Sequence, residues 1–435
     1  MSDPVDFSSL RRHEFQRLDA TGSVYLDYTG AALYPASLVR RDGQRLAAEV
    51  RGNPHSDSAP SLASTEAIET ARHLTLRFLD ADPAQYEVVF TANASSAIRI
   101  LADAFPFRAG SRLVLTADNH NSVNGLRLPA QRRRAKAEYV PLDGELRALD
   151  PAPWLSPVQQ PSLFALPAQS NFSGVQHPLD WVEETQRRGY RVLLDAAAYT
   201  PTSPLSLTEV PADFVALSFY KLFGYPTGVG ALVARRDALA TLRRSYFAGG
   251  SVQFVSVQNR LARLKDGGEG FEDGTPNFLA MPAICDGLRW LHRIGMRSIR
   301  KHVAALTGAL LERFADLGDR ATVYGPRNTR ARGGTVAFNL HAEGRVLPFE
   351  LVESAARERG IAIRGGCFCN PGASEHAFGI PAGRARACLR GHFAIPRFRA
   401  CLGGKPVGAL RASIGIATTM ADLDSLLDVV SGLTR

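Results

Sequence analysis

Lysine is nearly missing from this 435-residue chain: of 51 basic residues only Lys136, Lys221, Lys265, Lys301 and Lys405 are lysines, and the other 46 are arginines. Any lysine set in apolar surroundings therefore stands out. Cysteine is sparse as well: five (Cys285, Cys367, Cys369, Cys388, Cys401), odd in number and without a repeating spacing, describe no disulfide framework and point to a reducing compartment. No uncharged apolar run reaches membrane-spanning length, and the first residues lack a basic stretch followed by an apolar one. The expected location is the cytoplasm, with no membrane partner. Internal repeats and low-complexity tracts are also missing. Acidic residues number 42, which leaves a net charge of +9. The densest basic run, Arg132-Arg133-Arg134, is short and has no interleaved aromatics, so a solvated surface is favoured over nucleic-acid binding.

What is present is an ordinary globular composition, 45% hydrophobic and 21% charged, in a chain long enough to bury a large core. Short apolar runs with the length of buried strands recur at Glu87-Val-Val-Phe90, Arg112-Leu-Val-Leu115, Leu163-Phe-Ala-Leu166, Arg191-Val-Leu-Leu194, Phe214-Val-Ala-Leu217 and Gly230-Ala-Leu-Val233. Helical patterns alternate with them. From Ser95 to Phe105, for example, Ala97, Ile98, Ile100, Leu101 and Ala104 form one face. This alternation predicts an α/β fold with a mostly parallel sheet covered by helices.

Beyond about residue 285 the texture changes to helix, strands, helix, which predicts a large domain over 1–285 and a smaller C-terminal α+β domain over 286–435. An N-terminal arm of about 35 residues is expected to pack on the small lobe. Pro348 and Gly360 bracket a helix, and Thr419 caps a final one with Leu423, Leu426, Leu427 and Val430 on one stripe.

In open α/β sheets, ligands bind outside the carboxyl ends of the strands. Four segments are unusual on that criterion. After Phe90, small and hydroxylic residues including Ser95 and Ser96 open a helix, which suits a phosphate or simply a cap by Ser95. After Leu194 comes Asp195 with no cation nearby in sequence, which suits a cationic ligand, a cap or a buried ion pair. After Leu217 comes Ser218-Phe-Tyr220-Lys221, a lysine among apolar residues before a glycine-rich loop. Desolvation lowers a lysine's pKa and fits it for a Schiff base, whereas a lone lysine otherwise snorkels to the surface. The ordered appearance of cup, carboxylate and lysine favours the functional reading. The fourth segment, Arg364-Gly-Gly-Cys367-Phe-Cys369-Asn-Pro-Gly372, suggests an accessible thiol beside a cation. One Cys-x-Cys without a second pair is a poor zinc signal, so no metal is expected.

Together these residues resemble the class V aminotransferase branch of fold-type I enzymes that use pyridoxal 5′-phosphate (PLP). More narrowly, they are similar to cysteine desulfurases and the desulfurase domain of molybdenum-cofactor sulfurases. The likeness begins at Tyr25-Leu-Asp-Tyr-Thr-Gly-Ala-Ala32 and runs through Gly52-Asn-Pro-His-Ser56, Asp118-Asn-His120-Asn-Ser-Val and Ser170-Asn171-Phe-Ser-Gly174. It continues through Leu194-Asp195-Ala-Ala-Ala-Tyr199, Phe271-Glu-Asp-Gly-Thr275-Pro-Asn277 and the cysteine loop to Leu410-Arg411-Ala-Ser413. The resemblance implies a large domain with a seven-stranded sheet and a smaller C-terminal domain. It implies PLP on Lys221, His120 stacked on its ring, Asp195 paired with the ring nitrogen, and Asn171 on the O3′ side and the substrate. Ser95, Ser96, Ser218 and Tyr220 would grip the phosphate, with Thr275 from a partner subunit, hence a homodimer. Arg411 would take the substrate carboxylate, and Ala32 would border the substrate. The pattern Arg, any residue, Gly, two residues, Cys falls on Arg364, Gly366 and Cys369, which makes Cys369 the expected nucleophile and Cys367 an accessory or rival.

Two positions depart from the bacterial desulfurase pattern, Tyr220 where histidine is usual and Ala198 where glutamine is usual. Both look like the cofactor-sulfurase branch. The expected reaction converts L-cysteine to L-alanine and leaves a persulfide on Cys369 for transfer to an acceptor such as a protein. The alternatives are another class V activity, such as a C–S β-lyase, an aminotransferase or a biosynthetic enzyme acting on a modified amino acid, and a basic binding protein without catalysis.

Overall fold

Seven strands form the central sheet of the computed structural model, which describes residues 5–389 and 394–434. Their order across the sheet is Tyr86–Thr91, Gly230–Arg235, Phe214–Ser218, Tyr190–Asp195, Ser162–Pro167, Arg112–Thr116 and Lys136–Val140. Gly230–Arg235 runs antiparallel to both neighbours, and the remaining pairs are parallel. All residues of Ser162–Pro167 and Phe214–Ser218 are buried. Helices cover both faces of a parallel sheet, so its inner strands are apolar throughout and carry no alternation. Lys136-Ala-Glu-Tyr-Val140 is the strand that the apolar runs do not reveal. It lies at the sheet edge with Lys136 exposed, and its charges meet water and Arg112, whose Nη2 stands 2.6 Å from Glu138.

The helix beside the phosphate-cup segment spans Ala94–Ala104 and starts one residue before the expected Ser95. Its cap is Asn93, whose Oδ1 accepts from Ser96 N at 3.0 Å. Ala94, Ala97, Ile98, Leu101 and Ala104 are its buried face.

Residue 285 falls inside the helix Met281–Ile294, which packs on Ala59–Phe78 and Ala36–Ala48, and Gly295 separates it from the helix Met296–Asp316. A second, antiparallel sheet follows in the order Ala321–Tyr324, Thr335–Ala342, Ala409–Ser413, Arg364–Gly366, with Arg345–Val346 paired to Thr335–Ala342. The early chain reaches this sheet: Val24–Tyr25 pairs with Ile361–Ala362, Asp27 bridges to Ser413, and Arg11 donates to Asp422 at 2.6 Å and to the Ala417 carbonyl. The last helix, Met420–Leu433, begins with a capping box of Thr419 and Asp422, and Leu423, Leu426, Val429 and Val430 are buried.

The odd cysteine count describes no disulfide framework, yet Cys388 and Cys401 are joined by a disulfide between two short helices, Ala382–Cys388 and Ile395–Cys401. A separation of 13 residues along the chain gives no sequence signal for that pairing. Cys285, Cys367 and Cys369 remain free. Among the described residues no helix is long and apolar enough to cross a membrane, and no cluster of three or more metal-ligating side chains occurs.

Candidate active site

Neighbouring strand ends bring the carboxylate and the lysine segment together. The register sets Asp195 opposite Ala216, so the carboxylate lies beside the end of the strand that leads into Ser218, Tyr220 and Lys221. Tyr220 and Lys221 ride on the five-residue helix Phe219–Phe223, which stops at Gly224 in left-handed conformation (φ +76°). A Cβ at Gly224 would collide with backbone of residues 32–34, and only glycine allows that approach. The same contact seats Ala32, whose N–H donates to the Tyr220 carbonyl at 3.2 Å.

A cavity of about 190 Å3 opens at these strand ends and is lined by Ser95, His120, Asn171, Asp195, Ser218, Tyr220 and Lys221 among others. Ala32 and Lys221 line a smaller, adjoining cavity. At one end Ser218 Oγ accepts from Ala94 N at 2.9 Å, at the N-terminus of the helix Ala94–Ala104. That positive helix end suits an anion. Ser95 Oγ is within hydrogen-bond distance of Ser122 Oγ. Ser96 uses both its N–H and its hydroxyl on Asn93 Oδ1 and does not line the cavity. Thr275 is exposed, and its hydroxyl accepts from Asn53 Nδ2 at 3.3 Å, outside this chain's own cavity.

At the other end Asp195 is 9% exposed, accepts the Ala197 N–H at 3.1 Å and forms no ion pair among the described residues. A carboxylate left unpaired at the end of a buried strand calls for a cationic ligand. Lys221 is partly buried, and burial pushes its ammonium below the usual lysine range, against the opposing pull of Asp195. Burial also lowers His120, with Lys221 and Arg411 adding to the effect and Asp195 opposing it. His120 Nδ1 accepts the Ser122 N–H at 3.1 Å, and a backbone N–H is always a donor, so the ring proton of the neutral imidazole is on Nε2. A flat ligand, cationic on its ring and anionic on one arm, fits this arrangement, and PLP has those features.

The cysteine loop stands against the same wall. Phe368 and Cys369 both have φ near +55°, a left-handed backbone that costs about 1–2 kcal/mol for each non-glycine residue. External bonds hold the turn in place. Asn121 N donates to the Cys369 carbonyl at 2.7 Å, one residue from His120, and Asn171 Nδ2 donates to the Phe368 carbonyl at 2.7 Å. Phe368 packs on Phe172, with ring centroids 5.4 Å apart. Both thiol-bearing residues are exposed.

Arg364 and Arg411 lie directly opposite each other across an antiparallel pair, a like-charge juxtaposition that needs a counter-ion. Asp27 supplies it. Arg411 Nη2 is 2.8 Å from Asp27 Oδ1, and Arg364 Nη2 is 2.6 Å from Oδ2. The Arg364 guanidinium, expected beside the thiols, is thus held by Asp27. Arg411 is 3% exposed, its Nη1 donates to the Asn171 carbonyl at 3.0 Å, and its Nε has no partner. In the sequence Asp27, Ser122 and Asn370 stand inside the motifs, and Asn93 in the stretch after Phe90, with no role of their own assigned. A legible signal existed for Asn93, an asparagine just before a helix.

The sequence profile of the family described as aminotransferase class-V matches residues 24–426. The chain is 34% identical to a molybdenum cofactor sulfurase of Arabidopsis thaliana, over 98% of this chain and 58% of that protein. It is 34% identical to the protein of the same description from Bos taurus, over 96% of this chain and 51% of that protein. The chain therefore spans between half and three-fifths of the length of these relatives. Among solved structures, a cysteine desulfurase from Thermococcus onnurineus NA1 superposes with a TM-score of 0.83 at 24% identity, covering 100% of this chain and 99% of the other. The cysteine desulfurase CsdA from Escherichia coli gives 0.77 at 21% identity, with 99% and 100% covered. At these identities the structural likeness bears on the fold alone, and it is the fold type of mostly parallel α/β enzymes expected from the sequence.

Proposed function

This chain belongs to the class-V aminotransferase family, and on that premise we propose that it removes sulfur from L-cysteine, releasing L-alanine and holding the sulfur as a persulfide on Cys369. It is a PLP-dependent enzyme of that family. Lys221 holds the cofactor and moves a proton at the substrate Cα, a task helped by the lowered basicity that burial gives it. Asp195 would keep the ring nitrogen protonated, His120 would stack on the ring, and Ser95, Ser218 and Tyr220, which line the cavity, would take the phosphate, whereas Ser96 is turned onto Asn93 and falls outside this set. When bound, the cofactor would supply an electron sink at the substrate Cα. The Cys369 thiolate attacks the substrate sulfur, the Cβ–S bond breaks, and the carbon keeps the electron pair and takes a proton to become the methyl of alanine. Arg411 receives the substrate carboxylate, with Asn171 and Ala32 bordering the substrate.

The observation that carries this reading over a plain aminotransferase is the bond from Asn121 N to the Cys369 carbonyl, which fixes an exposed thiol turn to the segment bearing His120. Cys367 shares the turn as an accessory, since its own carbonyl accepts from Asn370 within the loop. Replacement of Cys369 by alanine abolishes alanine formation from cysteine. Undiminished turnover removes Cys369 from the mechanism, and pyruvate with ammonia in place of alanine assigns a β-eliminating lyase instead.

A homodimer belongs to the same proposal. The hairpin Val252–Ser256 with Leu261–Leu264 exposes Phe254 (62%), Val257 (88%) and Leu261 (63%), and its base is tied to the Thr275 segment through Gly274 N and the Gly249 carbonyl. Apolar exposure of this kind favours a covering surface, and a second copy seated there would carry Thr275 towards its partner's phosphate site. Sedimentation equilibrium at twice the chain mass supports it, and a monomer at micromolar concentration refutes it. The sulfur acceptor is of a chemistry that takes a persulfide sulfur, such as a thiol on another protein.

A further inference from the structure

Asn370 directly follows the proposed nucleophile and has no part in the chemistry above, yet it is completely buried and uses its whole amide. Its Oδ1 accepts the Ala373 N–H at 3.2 Å and caps the helix Pro371–Ala377. Its Nδ2 donates to the Asp118 carbonyl at 2.6 Å and to Asn171 Oδ1 at 2.9 Å. Backbone partners force this orientation, because the Ala373 N–H can only donate and the Asp118 carbonyl can only accept. The orientation of Asn171 then follows: its Oδ1 faces Asn370, and its Nδ2 gives one hydrogen to the Phe368 carbonyl at 2.7 Å. A chain of amides thereby runs from the cavity wall, which Asn171 lines, to the left-handed turn at Phe368 and Cys369.

We infer that Asn370 is a positioning residue, whose two donated bonds hold the Cys369 turn in register with the cofactor pocket; the inference rests on the desulfurase reading above. It acts through Asn171 and Asp118, the latter two residues before His120. The cap and the docking are separable. Asp at position 370 still accepts the Ala373 N–H but can donate to neither oxygen, whereas Ala loses both functions.

The test compares the PLP-loaded wild type with N370D and N370A. N370D sets a buried carboxyl against two oxygens and so lowers the melting temperature, yet the folded protein keeps the cofactor absorbance of the wild type, keeps KM for L-cysteine within about threefold, and loses about a hundredfold in kcat for alanine, the scale expected when a reacting group is misplaced by about an ångström. N370A loses kcat to the same degree. A kcat for N370D within threefold of the wild type reduces Asn370 to a helix cap and overturns the inference. Hydrogen exchange at the Asn121 amide, which donates to the Cys369 carbonyl, is read in the same proteins and does not depend on turnover. Exchange at least tenfold faster in N370D supports the docking role, and unchanged exchange refutes it. If the wild type makes no alanine from cysteine, the desulfurase reading fails, and the exchange result alone decides the positioning role.

Discussion

Asp27 is placed between two arginines that differ in exposure, and the difference sets what its loss will cost. Arg411 is 3% exposed and Arg364 is 50% exposed, and the two face each other across one pair of strands. Removing one partner of a buried ion pair costs about 3–5 kcal/mol because the other charge is left uncompensated. An exposed pair is worth at most about 1 kcal/mol. Asp27→Asn is isosteric, so it removes the charge with little change in packing, and the cost expected from the Arg411 side is about 3–5 kcal/mol. Arg364→Ala removes only the exposed partner and also relieves the opposed guanidinium groups, so its effect stays within about 1 kcal/mol of zero. Urea unfolding of the PLP-loaded proteins measures both. A D27N protein that unfolds at the wild-type midpoint, or an R364A protein as destabilised as D27N, would refute the assignment of Asp27 as the counter-ion of the buried arginine.

Other expectations follow from the same geometry. His120 is held below its ordinary pKa by burial, so the unfolded chain binds a proton that the native state does not as pH falls through about 6.5, and native stability falls with it. In apo protein, H120Q flattens the stability profile between pH 7 and 5, by up to about 1.4 kcal/mol per pH unit for one linked proton; an unchanged slope contradicts this. Cys285 is buried and its thiol is pushed up to about 11, chiefly by desolvation, whereas Cys367 and Cys369 are exposed. Iodoacetamide at pH 8 therefore modifies the latter two in the native protein and reaches Cys285 only after denaturation, as peptide mass mapping will read. Gly224→Ala forces a left-handed alanine against residues 32–34, at about 1–2 kcal/mol for the backbone and about 1–3 kcal/mol for overpacking, and should weaken cofactor retention on dialysis.

Much of the fold was readable because buried parallel strands need continuous apolar runs, and six of the seven strands carry one. Lys136–Val140 does not, since an edge strand satisfies its charges at the surface and its alternation is too short to stand out. Lys221 and Asp195 were legible as chemistry because each is a polar residue at the end of an apolar run. Asn370 and Asp27 were not, because their meaning lies in partners far along the chain. Asp27 meets Arg411 across 384 residues, and Asn370 meets Asp118 across 252. Asn171 was expected to face the cofactor, and the structure shows its amide turned as much toward the cysteine turn as toward the cavity.

The identity of the lysine that binds the cofactor is the claim on which the rest depends, and the rarity of lysine makes it easy to test. Lys136 and Lys265 pair with Glu138 and Glu269, and Lys405 donates to the Gly379 carbonyl, so none of these three lies in the cavity. Borohydride reduction of the PLP-loaded protein, followed by proteolysis and mass mapping, should leave the pyridoxyl group on the peptide containing Lys221 alone. A label on another lysine, or a protein that takes up no cofactor, would contradict the account.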